Sequence, residues 1–166
     1  MSKKSLSLSG VLLLTAAICI LSTLPALAAS QARIVRLSDV QGSVQIDKNT
    51  GIGFESAFVN LPITQGTQLK TGANGRAEIE FEDGSSLRLA PQTVAEFGTL
   101  GLNDAGKRIS VVTVVEGMAY VNWLGSSSDQ FSLNFSHENV ALDRATHFRV
   151  QTSDEIAKLS DYKGAI

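Results

Sequence analysis

The chain has 166 residues and a formal net charge of −2, with its basic residues scattered and Lys107-Arg108 as the longest basic run after Lys3-Lys4 at the start. That balance argues against nucleic acid or an anionic lipid surface as the main partner. One cysteine and two histidines leave little material for a disulfide framework or a thiol-ligated metal.

In chain order, Met1 to Gly10 is polar, with Lys3 and Lys4 as its only charges. Val11 to Leu24 is apolar except for Thr15, Ser22 and Thr23, and Pro25 and Ala26-Leu27-Ala28 follow. A basic start, a short apolar core and a small-x-small exit read as a secretory signal peptide over residues 1–28, cleaved between Ala28 and Ala29. The apolar run is short for a membrane span of about 20 residues. The expected location is periplasmic or secreted; the alternative is an inner-membrane anchor left uncleaved. Cys19 leaves with the signal, and loss of Lys3 and Lys4 takes the net charge from −2 to −4. The remaining domain, 29–166, must fold by packing alone.

From Arg33 onward the hydrophobic period is two. Ile34, Leu37, Val40, Val44 and Ile46 outline two short strands, and Asp47 to Gly53 reads as a turn-rich loop. Leu61-Pro62-Ile63 resumes extended chain, and Thr67–Thr71 is the next strand. Further strands are expected over Arg76–Phe81, Ser85–Ala90, Thr93–Phe97, Arg108–Val115, Met118–Leu124, Gln130–Phe135, Asn139–Asp143 and His147–Thr152. Ser153–Leu159 has some helical propensity, but its neighbours favour strand. The fold class is all-β: an antiparallel sandwich or rolled, barrel-like sheet of about ten or more short strands.

The stretch Ala77–Leu89 alternates apolar and charged residues and carries Glu78, Glu80, Glu82 and Arg88. A two-residue Asp83-Gly84 loop would pair Phe81 with Ser86 and mix core with solvent faces. A three-residue loop, Glu82-Asp83-Gly84, pairs Ile79 with Leu87, Ala77 with Leu89 and Glu78 with Arg88. Only the odd loop keeps the apolar residues on one side, with Gly84 in the left-handed position of a type I turn plus bulge. The acidic row is then a solvated face. Alternate residues on a strand lie about 6.5–7 Å apart, too far to share a calcium ion readily.

Leu37-Ser38-Asp39-Val40-Gln41-Gly42-Ser43-Val44 recurs near the C-terminus as Leu159 to Ile166, with a looser echo from Val114 to Val121. An apolar residue, a polar one, glycine and then alternating apolar positions suit a strand bent at glycine and continuing into the core. The last copy stops two residues after its glycine. A strand ending there is expected to leave an exposed edge at Tyr162, Gly164 and Ile166, open to pairing with another chain.

Asn60 to Gly72, Gly75-Arg76-Ala77-Glu78 and Asp83 to Leu89 together resemble the core signature of FecR-type domains. The likeness continues through Val114-Val115-Glu116-Gly117 to Thr146-His147-Phe148-Arg149-Val150 and covers roughly Val40 to Thr152. It implies an extracytoplasmic, non-enzymatic all-β module, in some members the outer part of a transmembrane sigma-factor regulator. Only about ten polar residues precede the apolar segment, too few for a sigma-binding helical domain. The chain therefore resembles the secreted members that carry this domain alone, in shortened form.

Other sites weigh less. His137 and His147 lack a third protein ligand for zinc, and no Gly-x-Ser-x-Gly elbow or phosphate loop occurs, so no catalytic residue, metal or cofactor is expected. The expected role is a binding or scaffolding module in envelope signalling, with an envelope protein as partner. Its contacts are expected at the turns holding Asn74, Gly75, Asp83 and Gly84 and at the Tyr162–Ile166 edge. The alternative is a carbohydrate- or cell-wall-binding domain using Trp123 and Tyr120 as a platform, which requires an exposed Trp123. A hydrolase would need a histidine beside a carboxylate and a hydroxyl.

Overall fold

The structure, a computed structural model, describes residues 33–127, 129–153 and 156–163, without the side chains of Ile156 and Lys163. Thirteen strands follow one another among the described residues. They are β1 (Val35–Gln41), β2 (Val44–Asp47), β3 (Glu55–Ser56), β4 (Pro62–Ile63), β5 (Gln68–Thr71), β6 (Arg76–Glu80) and β7 (Ser86–Leu89). After them come β8 (Val94–Leu102), β9 (Arg108–Trp123), β10 (Asp129–Phe135), β11 (Glu138–Leu142), β12 (Thr146–Ser153) and β13 (Ile156–Lys163). No helix occurs among the described residues, so none there is long and apolar enough to cross a membrane. The signal segment and the Ala28–Ala29 cleavage point lie outside the described residues, as do Gly164 and Ile166.

The strands form one continuous sheet that curls into two facing layers sharing β9. The first layer runs β4-β1-β6-β7-β9-β12-β13 and the second β3-β2-β5-β8-β9-β10-β11. Alternation explains the layering: inward residues such as Leu37, Ile79, Leu87 and Phe148 of the first layer are buried, as are Ile46, Leu69, Phe97 and Leu133 of the second. Each such side chain contributes roughly 1.5–3 kcal/mol by leaving water.

The hairpin at Ala77–Leu89 has the register its alternation requires: Ala77 faces Leu89, Glu78 faces Arg88, Ile79 faces Leu87 and Glu80 faces Ser86. Phe81 N–H donates to Ser85 O at 2.9 Å and Gly84 N–H to Phe81 O at 3.0 Å, with Gly84 at φ +83°.

Three features differ from the sequence reading. Ile34 is 75% exposed rather than part of the core, because the inward parity of β1 begins at Val35. Arg108–Val115 and Met118–Leu124 are one strand, β9, that passes from one layer to the other. Its inward residues are Ser110, Val112 and Val114 before the passage and Ala119, Val121 and Trp123 after it, so the parity switches in between. Gly117, at φ +96°, makes the switch; a Cβ there would collide with Gln92 O and Thr93. Finally, β10 pairs with the first half of β9 in parallel, Asp129 beside Arg108 through Phe135 beside Val114. Local alternation cannot reveal this pairing, because it depends on the chain crossing back after Trp123.

Candidate functional site: the outward surfaces and the two ends of the sandwich

At one end of the sandwich the chain repeatedly crosses between layers, and the crossings are tied together. Gly72 N–H donates to Ser43 O at 2.8 Å and Gln92 N–H to Gly72 O at 3.1 Å. The buried Thr71 hydroxyl donates to Ala90 O at 2.7 Å and accepts from Thr93 N–H at 2.9 Å. The buried Thr93 hydroxyl donates to Met118 O at 3.1 Å and accepts from Met118 N–H at 3.0 Å. The turn marked from sequence sits here. Asn74 is exposed, and its Oδ1 accepts from Ser43 N–H at 3.3 Å. Gly75 is buried against the Ser43 carbonyl, leaving no room for a Cβ.

The opposite end is charged. Arg33 Nε and Nη2 bond Glu82 Oε1 and Oε2 at 2.5 and 2.8 Å, and Arg33 Nη1 donates to Ile109 O at 2.8 Å. Ile34 N–H adds a bond to Glu82 Oε1 at 3.0 Å. The two side chains are only 6% and 14% exposed, so Glu82 departs from the wet face expected of it. Burial of its carboxyl opposes ionisation, but the bonds and charge of Arg33 more than offset this and hold its pKa below the usual carboxylate value. Arg108 pairs with Asp129 nearby, Nη2 to Oδ2 at 2.9 Å. In the hairpin turn, Asp83 accepts from Ser85 N–H at 2.9 Å and Ser85 Oγ at 2.8 Å, and Gly84 is exposed. Sequence reasoning missed the clamp because its partners are 49 residues apart and each is an ordinary surface residue type.

Glu78 and Glu80 do lie on the outer face of the first layer, paired with Arg88 and with Arg36, the latter at 2.9 Å. Register places Asp39, Glu78, Arg88, Tyr120 and Arg149 in one row across β1, β6, β7, β9 and β12. An open groove of about 710 Å³ lies over this face toward the crossing end. Beyond it, the Arg149 guanidinium sits 6.0 Å from the Tyr162 ring centroid, and the His147 ring is 5.5 Å from the same ring. Tyr162 is 54% exposed on β13, which pairs only with β12 among the described strands.

Trp123 is 3% exposed, packed 4.9 Å from Phe131 and 6.5 Å from Phe81 between ring centroids. It cannot serve as a sugar platform, which removes the main support for that version of a carbohydrate site. The histidines sit apart: His137 is exposed in the β10–β11 turn beside Ser136 Oγ, and His147 lies on the other layer against Tyr162. Neither is placed as a hydrolase base.

A second surface was overlooked in the sequence. Between β2 and β4, Ile52 is 80% exposed, Phe54 42%, Phe58 63% and Val59 43%. The segment is pinned, with Ala57 N–H donating to Val44 O at 2.9 Å and Asn60 N–H to Leu37 O at 2.8 Å. The available signal was four large apolar residues in a turn-rich stretch with no strand period.

Comparison with known proteins fits this architecture. The profile of the FecR protein family matches residues 67–166. A search of curated proteins finds no significant match. A crystal structure of a protein from Parabacteroides distasonis, provisionally described as an anti-sigma factor, is similar with 20% identity and a TM-score of 0.49. The match covers 58% of this chain and 44% of that one, so this chain spans less than half the length of that protein. With its curled two-layer sheet and a family match over more than half its length, the chain belongs to the FecR family.

Proposed function

We propose that this FecR-family domain is a non-enzymatic binding module that works outside the cytoplasm in cell-envelope signalling and docks an envelope protein. The observation that carries this reading is the pinned segment Ile52–Val59, which holds four large apolar side chains in water although the core beneath is already closed. A pre-positioned apolar segment binds with little ordering cost. The charges beside it, Asp47, Lys48 and Glu55 in sequence and Arg36 bonded to Asn60, include Lys48–Glu55 and Arg36–Glu80 ion pairs at 2.6 and 2.9 Å and no basic cluster, which favours a protein over an anionic membrane. The extracytoplasmic setting is supported by the signal-like residues 1–28. The exposed β13 edge offers a further surface for strand addition, including by a second copy.

A photo-crosslinking residue in place of Phe58, in intact cell envelopes, tests this. The expected result is a discrete adduct with an envelope protein that disappears when Phe54→Ser is added. Absence of any adduct would overturn the docking role.

A further inference from the structure

We propose that the outer face of the first layer binds a neutral, hydroxyl-rich glycan chain, laid across the strands from the groove to the Tyr162 ledge. The row from Asp39 to Arg149 crosses five strands, so the track is roughly 19 Å long at about 4.8 Å per strand gap. The backbone beneath it is fully laddered, so a peptide cannot add to it as a strand; only side chains can read a ligand here.

Those side chains supply both donors and acceptors. Gln41, Gln92 and Gln151 line the groove; an amide can both give and take a hydrogen bond, and that of Gln41 already donates to Asp39 Oδ2 at 2.8 Å. The ionic lining is mixed: Asp39, Glu78 and Glu116 with Arg76 and Arg88, of which Glu78 and Arg88 are already paired. No single-sign field draws an anion or a cation. Tyr120 is half-buried within the groove, and Arg149 stands between it and Tyr162. Two rings separated by a guanidinium, beside interleaved amides and carboxylates, suit sugar rings, whose C–H faces stack on aromatics while their hydroxyls both donate and accept. This track begins on β1, the neighbour of β4, and runs away from it; its two tyrosines stand on β9 and β13, three and five strands beyond β1, and it shares no residue with the Ile52–Val59 segment. The inference is therefore independent of the protein-docking reading.

Co-sedimentation of the purified protein with cellulose, chitin and isolated murein sacculi tests it. Retention on at least one is expected. Tyr120→Ala and Tyr162→Ala should each weaken it about tenfold, as loss of one ring contact predicts, while Tyr162→Phe retains it. Unchanged melting temperatures separate lost binding from lost folding, and Phe58→Ser should leave retention intact. Retention on murein alone identifies cell-wall glycan as the source; retention on cellulose or chitin identifies a free polysaccharide. Three results would overturn the proposal: no retention on any of the three, equal retention by wild type and both alanine variants, or murein retention that an excess of soluble, peptide-free glycan strands does not compete away.

Discussion

The two ends of the sandwich are held by different chemistry. The crossing end is neutral: glycines where backbones nearly touch, and two buried threonine hydroxyls bonded to main chain. The hairpin end is ionic: Arg33 with Glu82 and Arg108 with Asp129, close to the layer interface. The signature residues Thr71, Gly72, Gly75 and Gly117 serve the first end by letting the chain change layers. The second end ties Arg33 to both layers at once, through Glu82 and the Ile109 carbonyl. A motif legible in sequence can thus be architectural.

The largest effect should come from Gly117→Val, which combines a left-handed backbone with a clash against Gln92 and Thr93. A loss of more than about 4 kcal/mol is expected in denaturant melts. Arg33→Ala strands the half-buried Glu82 carboxylate and should cost about 2–3 kcal/mol. Thr93→Val takes the hydroxyl partner from the Met118 N–H, leaves the Met118 C=O with only the Ala90 N–H, and should cost about 2 kcal/mol. Arg88→Ala breaks an ion pair whose arginine is 61% exposed, and the change should stay within about 0.5 kcal/mol.

Acid separates the ends further. Glu82 has a lowered folded-state pKa, so the unfolded chain takes up its proton first as pH falls. The stabilisation from this group is complete above the ordinary carboxylate range and is lost progressively as pH drops through that range toward the folded value. Wild type should lose stability across this interval, and Glu82→Gln should flatten that part of the profile. Thr93→Val should leave its slope unchanged.

Much of this could be read from residues. The Ala77–Leu89 register was legible because slipping it by one residue would turn Ile79 and Leu87 outward. The bend at Gly117 was legible as a break, but not as one strand serving two layers, since that depends on the Gln92–Thr93 backbone arriving beside it. The parallel β9–β10 pairing and the Arg33–Glu82 clamp join segments whose meeting no local pattern encodes. Trp123 shows the same limit: its parity within β9 follows only after the Gly117 switch is known. The exposed segment Ile52–Val59 was visible, yet a search for periodicity passes over apolar residues without a period.

The most direct measurement compares crosslinker placed at Phe58, at Asn74 on the crossing end and at Asp83 on the hairpin end, in intact envelopes. A binding role for the pinned apolar segment predicts a single adduct, dominant at Phe58. Adducts from Asn74 or Asp83 with none from Phe58 would contradict it.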